Sequence, residues 1–192
     1  MTPGSTAGKK RGVESLRGQL LIAGPSLFDP NFRRTIILVG EHNEDGALGV
    51  VLNRPAPVPV REVAPSLASV VGDGERLFVG GPVQPQSAVV LAEFDDPARA
   101  DIVVFDAIGF LTGEVEADAV RWIRRGRVFA GYAGWGPGQL EDEMAEDGWF
   151  VEPALPDDVF TETPETLWDS VVRRKGARFA MLATMPFDPS LN

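Results

Sequence analysis

The chain has 192 residues, enough to bury a sizeable core, and a formal net charge of −10 from 28 acidic and 18 basic side chains. It contains no cysteine and one histidine, which excludes disulfides, thiolate catalysis, iron–sulfur clusters, zinc sites built on sulfur and any site that needs two imidazoles. We expect neither a metal site nor a cofactor.

The charge is divided unevenly along the chain. Residues 1–17 carry four basic side chains and one acidic side chain, and the remainder carries 14 basic and 27 acidic side chains, a net charge of −13. Phosphate backbones bind mainly to Lys and Arg, so this acidic body disfavours direct nucleic-acid binding. No apolar run approaches the ~20 residues of a membrane span, and no apolar stretch typical of a signal peptide follows the basic N-terminus. We expect a cytoplasmic protein without a membrane partner.

The N-terminal segment has the composition of a disordered tail. Residues 1–15 are rich in Gly, Ser, Thr, Lys and Arg and poor in apolar side chains. From residue 19 onward the apolar pattern is dense, and no internal repeat is visible. The sequence therefore predicts a tail over 1–15 and a single domain over 16–192.

Short apolar and β-branched runs predict the strands. They cover 19–23, 34–39, 47–52, 77–79, 87–92, 102–105 and 149–151. The second and third runs are separated by EHNEDG, whose Asp45-Gly46 pair predicts a hairpin. Several runs are apolar without alternation, which indicates strands that are covered on both faces.

Three segments have the apolar spacing and end signals of helices. They cover 116–125, 137–147 and 164–175. In the third, Pro164 stands at the first helical position and the last turn is basic. The arginines at 121, 124, 125 and 127 are attributed to the C-terminal end of the first helix, where cations are favoured. The strands come in hairpins, so we expect an α+β fold with a mixed, largely antiparallel sheet.

Two segments contain more glycine and polar side chains than a plain core requires. The first, 27–53, contains DPNFRRT, EHNEDGALG and VVLNRP, and the second, 129–143, reads FAGYAGWGPGQLEDE. Neither segment matches a nucleophile elbow, a Walker A loop or a dinucleotide-binding fingerprint.

These two segments, together with LLIAGP at 20–25 and VGGPV at 79–83, resemble the AlgH/YqgE-like family of small bacterial proteins. The resemblance runs from about residue 18 to the closing PFDPSLN. It implies a bifurcated sheet curled into a pseudo-barrel with flanking helices. It brings no set of catalytic residues, and the family carries the label of a transcriptional regulator.

In the first segment the candidate residues are Arg33, Glu41 and His42. His42 has the chemistry of a general base or a pH-sensitive contact, and the alternative is a hydrogen bond that fixes the hairpin turn. Arg33 and Arg34 precede a strand, and one of them suits a bidentate contact to an anionic ligand; the alternative is an ion pair with Asp29 or Glu41.

In the second segment the candidates are Tyr132, Trp135, Gln139 and Glu141. The aromatic side chains suit either a groove for a partner or an aromatic core between helix and sheet. Consecutive acidic residues over 141–143 point in different directions on a helix, which favours a solvated face over a cation site.

Both segments follow strand ends, so we expect the EHN turn and residues 132–141 to meet on one surface. The predicted binding surface consists of Glu41, His42, Arg33, Tyr132, Trp135, Gln139 and Glu141. The leading hypothesis is a non-enzymatic binding or regulatory module that acts through a protein or a small molecule. The alternatives are a small-molecule hydrolase that uses His42 with a carboxylate, and a transcriptional regulator that acts indirectly.

Overall fold

The computed structural model describes residues 14–27, 29–72, 74–112, 115 and 117–183. The predicted tail lies outside these residues except for Glu14 and Ser15, and the closing PFDPSLN lies outside them altogether.

The described strands are β1 (Gln19–Ala23), β2 (Ile36–Asn43), β3 (Gly46–Val51), β4 (Pro55–Pro59), β5 (Arg76–Val79), β6 (Val83–Phe94), β7 (Ile102–Phe105), β8 (Ile108–Leu111), β9 (Ile123–Trp135) and β10 (Trp149–Pro153). The described helices are α1 (Val60–Val63), α2 (Ala117–Val120), α3 (Gln139–Ala145), α4 (Pro156–Val159), α5 (Leu167–Lys175) and α6 (Ala177–Ala183).

The strands form one branched sheet around β9. The strand order is β10-β1-β2-β3-β9-β6-β8-β7, with antiparallel neighbours throughout. β4 pairs with β5, and β5 pairs in parallel with β9. Because β3 and β5 pair with different parts of β9, the sheet divides there. The structure confirms the predicted α+β fold with a mostly antiparallel, curled sheet and flanking helices.

Both faces of β1 and β2 are buried, as the apolar runs predict. The even-numbered side chains of β1 and β2 pack with α5 in a core formed by Leu20, Ile22, Ile36, Leu38, Trp168, Val171 and Val172. The odd-numbered side chains of the same strands pack near α3 in a core formed by Leu21, Ala23, Ile37, Val39, Trp135, Leu140 and Trp149. Helices therefore cover this part of the sheet on both sides, and continuous apolar runs follow from that arrangement.

The predicted helix over 116–125 is wrong beyond residue 120, where α2 ends and the chain enters β9. Arg125 pairs across the sheet with Glu93 of β6, and its Nε lies 2.5 Å from the Glu93 carboxylate. Arg124 forms the equivalent contact with Asp95. The attribution to a helix C-terminus is wrong for the arginines at 124, 125 and 127, which lie on β9, whereas Arg121 directly follows α2. Cross-strand ion pairs and the β6 ladder outweighed the local helical spacing.

The other predicted elements differ from the structure mainly at their ends. β2 continues to Asn43 through polar EHN, because those residues pair with β3 beyond a bulge between Val39 and Glu41. The second and third predicted helices are α3 and α5, and a 3₁₀ turn at Pro164–Thr166 precedes α5. No helix within the described residues is long and apolar enough to cross a membrane.

Candidate functional site

The β2–β3 hairpin and the end of β9 bring the two motif segments together. His42 is the register partner of Ala47, and Ala47 is the partner of Trp135 on the next strand. Neighbouring strands are ~4.8 Å apart, so the three residues form a row across the sheet. The sequence-based expectation that the EHN turn meets residues 132–141 agrees with this register.

The hairpin turn needs glycine at position 46. Gly46 has a φ of +129°, and a Cβ built on it would lie 2.1 Å from the Trp135 carbonyl oxygen. The Asn43 side chain accepts the Asp45 N–H at 2.8 Å and closes the turn. The Asp45-Gly46 pair therefore lets the hairpin tip approach the backbone of β9 closely.

His42 joins three segments of the chain. Its Nε2 lies 2.8 Å from Glu141 Oε1, and its Nδ1 accepts the Leu16 N–H at 3.1 Å. The Ser15 hydroxyl also donates to the His42 carbonyl oxygen. A backbone N–H can only donate, so Nδ1 is unprotonated and Nε2 carries the hydrogen that faces Glu141. The side chain is 2% exposed, and both ring nitrogens have partners.

Glu143 holds the aromatic residues of the second segment. Its Oε2 accepts the indole N–H of Trp135 at 2.9 Å and that of Trp149 at 2.7 Å. Gln139 donates to its other oxygen at 2.9 Å. Trp135 is 6% exposed and packs against Phe32 and Trp149, so it belongs largely to the core. Within the acidic run over 141–143, the Asp142 side chain is exposed to solvent, whereas the Glu143 side chain accepts hydrogen bonds from the aromatic residues.

A shallow groove lies beside this row of residues. It has a volume of about 300 Å³, and its lining residues, which we call the hairpin groove, are Glu41, Asn43, Asp45, Gly46, Ala47, Leu48 and Trp135. Of the predicted surface, Glu41, His42, Trp135, Gln139 and Glu141 lie in or next to this region. Tyr132 packs against the core on the α5 side of the sheet, whereas Trp135 packs on the α3 side.

Arg33 lies at the other end of β2 and lines a separate cleft. This cleft has a volume of about 330 Å³, and we call it the basic cleft. Its lining residues are Arg33, Arg34, Asn53, Arg54, Glu165, Trp168 and Asp169. Position 33 precedes β2 and position 42 stands near its end, so the seven predicted residues do not form one surface.

The open end of the β2–β3 hairpin forms one wall of the basic cleft. Asn53 accepts the Ile36 N–H at 2.9 Å and donates to the Arg34 carbonyl oxygen at 2.9 Å. Arg54 donates to the carbonyl oxygens of Pro30 and Arg33. The sequence offered Arg34 together with Arg33 as an anion contact but did not assign Asn53 or Arg54 to a site, although hairpin register places DPNFRRT opposite VVLNRP. The hairpin register was therefore the feature of the sequence that could have brought these residues together.

Arg34 connects this wall to α5. Its φ is +51°, in the left-handed region that costs a non-glycine residue ~1–2 kcal/mol. Its guanidinium lies 4.9 Å from the centre of the Trp168 ring, and the Trp168 indole donates to the Ala23 carbonyl oxygen. Packing and the Asn53 contact hold this strained residue at the cleft.

The electrostatics of the basic cleft are mixed. Burial lowers the pKa of the Arg54 guanidinium, and the nearby Asp29 carboxylate opposes this shift. Glu165 is exposed and pairs with Arg76 at 2.9 Å, and its own backbone N–H together with Arg76 lowers the pKa of that carboxyl. Asp169 Oδ1 is buried and has no hydrogen-bond partner in the described part of the chain.

Comparison with known proteins identifies the family of this chain. The profile of a family described as AlgH-like matches residues 20–180. The chain belongs to the AlgH-like family. It is 46% identical to a UPF0301 protein of Streptomyces avermitilis over 94% of this chain and 97% of that protein. It is 43% identical to a UPF0301 protein of Mycobacteroides abscessus over 91% of this chain and 87% of that protein.

Two solved structures of AlgH-like proteins have the same fold. Protein DIP2367 of Corynebacterium diphtheriae superposes with a TM-score of 0.81 at 32% identity, covering 90% of this chain and 93% of that one. The AlgH protein of Pseudomonas aeruginosa, a UPF0301 protein, superposes with a TM-score of 0.70 at 29% identity, covering 97% of this chain and 98% of that one. The resemblance of the motif segments to this family is confirmed.

No group of three or more histidine and acidic side chains is placed to hold a metal ion within the ranges that the structure describes. The chemistry that these residues offer is hydrogen bonding and charge pairing, at the basic cleft and around His42 and Glu143.

Proposed function

We propose that this AlgH-like protein is a non-enzymatic binding module that holds a small anionic ligand in the basic cleft. The observation that carries the proposal is Arg34, which is kept in a left-handed conformation with its guanidinium over Trp168. Strained residues of this kind persist where the surrounding structure fixes them, and they concentrate at ligand sites.

The composition and size of the basic cleft support an anionic ligand. Arg33, Arg34 and Arg54 supply planar donors that suit phosphate or carboxylate groups. The volume of about 330 Å³ is at the lower end of the range for ligand pockets, roughly 300–1,000 Å³, so the ligand is small. The partly buried guanidinium of Arg54 lies near the Asp29 carboxylate, and a bound anion would add a second negative charge beside it.

The geometry of His42 supports a binding module over the hydrolase alternative. A general base needs a ring nitrogen within reach of the proton it abstracts. In this chain one ring nitrogen of His42 accepts from Leu16 and the other faces Glu141, and the ring is buried. The acidic body likewise supports a regulatory role exerted through a partner rather than through duplex DNA.

The experiment is a calorimetric titration of the purified protein with inorganic phosphate and with acetate. We expect saturable binding of at least one anion that weakens tenfold or more, about 1.4 kcal/mol, in Arg34→Gly and in Arg33→Ala. Arg61→Ala makes the same charge change at an exposed side chain of α1 and serves as the control. Absence of binding, or equal weakening in the control, would contradict the proposal.

A second candidate is a partner protein that docks at the hairpin groove. Trp135 and the carboxylates of Glu41 and Asp45 line this open groove, and the neighbouring Glu141 side chain is 41% exposed. We propose that such a partner presents a basic segment there. Charge reversal with Asp45→Lys should abolish capture of the partner, whereas Asp157→Lys, at a side chain that is 96% exposed, should not.

A further inference from the structure

The basic cleft contains an acidic group whose bonding is incomplete. Asp169 lines the cleft, and its Oδ1 is one of two buried side-chain polar atoms in the described residues without a hydrogen-bond partner. Leaving a buried acceptor unsatisfied costs ~1–3 kcal/mol, so such an atom in a folded protein needs an explanation, and a functional role for the group is one.

The cleft has two walls of different charge. The arginine wall is built from residues at the open end of the β2–β3 hairpin, and Asp169 stands in the first turn of α5. The other carboxylate of the cleft, Glu165, is exposed and already pairs with Arg76. Asp169 is therefore the carboxylate that offers an acceptor to a ligand held by the arginines.

Building on the proposed function, we propose that the ligand of the basic cleft is a small zwitterion. Its phosphate or carboxylate group binds the arginine wall, and its protonated amine pairs with the Asp169 carboxylate, which lines the cleft. An ammonium group carries three donors and a positive charge, so it donates hydrogen bonds to the carboxylate and neutralises it.

The size of the cleft is compatible with one such molecule. A volume of about 330 Å³ suits a short ligand whose two charged ends reach both walls. A simple anion would occupy only the arginine wall and would face the like charge of the Asp169 carboxylate.

The test uses matched ligands that differ only in the amine. O-phosphoethanolamine is compared with ethyl phosphate, and 4-aminobutyrate with butyrate, each titrated into the full-length protein by calorimetry. We expect the amine-bearing member of at least one pair to bind tenfold or more tightly. Asp169→Asn keeps the shape of the side chain and should reduce this advantage below threefold, while the matching simple anion, relieved of the repulsion from the carboxylate, should bind at least as tightly as it binds the wild type.

The outcomes separate this proposal from the proposed function. If simple anions bind in an Arg34-dependent manner and the amine gives no advantage, the zwitterion proposal is wrong and the anion cleft stands. If the amine advantage survives Asp169→Asn, the assigned role of Asp169 is wrong. If no probe binds, the proposed function itself fails. Asp157→Asn, at an exposed carboxylate, is the matched control and should leave every affinity unchanged.

Discussion

Glu141 and His42 lie 2.8 Å apart although 99 positions separate them in the chain. The contact forms because α3 follows β9 directly and packs its buried Leu140 against the sheet, which brings Glu141 over the end of β2. His42 also accepts the Leu16 N–H, so a single buried ring ties the start of the described chain, the β2–β3 hairpin and α3 together.

This bridge predicts a loss of stability in His42→Ala. The substitution removes the acceptor of the Leu16 N–H and the partner of Glu141, and we expect the free energy of unfolding to fall by about 1–3 kcal/mol. Urea denaturation followed by circular dichroism measures it. Glu141→Gln is the control, because its amide oxygen still accepts from Nε2. A His42→Ala variant as stable as that control would show that the bridge contributes nothing.

Glu143 should matter more than its neighbours on α3. One of its oxygens accepts two indole N–H groups, so Glu143→Ala leaves both Trp135 and Trp149 without an acceptor. We expect the free energy of unfolding to fall by roughly 2–4 kcal/mol, with a change in tryptophan emission. The exposed Glu146→Ala should be close to neutral. Equal stability of the two variants would contradict the assigned role of Glu143.

A third prediction concerns the hairpin turn. In Gly46→Ala the new methyl group would collide with the Trp135 carbonyl oxygen at 2.1 Å in a positive-φ conformation, so we expect a loss of at least ~2 kcal/mol in unfolding free energy. At Gly136 the nearest atom to a new Cβ is the Gln139 side-chain oxygen at 3.9 Å. Gly136→Ala is therefore the control, and thermal unfolding of both variants measures the difference.

A substitution of Arg34 separates the contribution of this residue to stability from its contribution to ligand binding. Arg34→Gly relieves the left-handed strain and removes the contact with Trp168, two effects of ~1 kcal/mol with opposite signs. We expect the unfolding free energy to stay within about 1 kcal/mol of the wild type. Phosphate binding, measured on the same samples, should fall at least tenfold. A loss of stability above about 2 kcal/mol would instead assign Arg34 a structural role.

The first half of the sheet could be predicted from sequence because its determinants are local. The β-branched runs on either side of Asp45-Gly46 fix β2 and β3, and their continuous apolar character indicates burial on both faces. Residues 123–125 could not be assigned in this way. The apolar spacing over 116–125 suits a helix, whereas pairing with β6 and the contacts of Arg124 with Asp95 and of Arg125 with Glu93 favour the extended form.

The site was predictable in part. The sequence singled out His42 and Trp135, which the register places in one row, and it named Arg33 as an anion contact. It grouped Arg33 with the wrong neighbours, because an eight-residue strand separates the two ends of β2 by ~25 Å. Trp168 and Asp169 gave no sequence signal beyond an amphipathic helix.

The sequence by itself determined the family, the strand-forming runs and the hairpin turn, since turn chemistry and hydrophobic runs act over a few residues. Only the tertiary structure decided which polar groups meet. Glu143 and Glu141 are two positions apart on one helix, yet one accepts from two indoles and the other faces His42. Those partners depend on how α3 packs on the sheet. Contacts between segments that are distant in the chain produce no periodic pattern in the sequence, so the sequence does not reveal them.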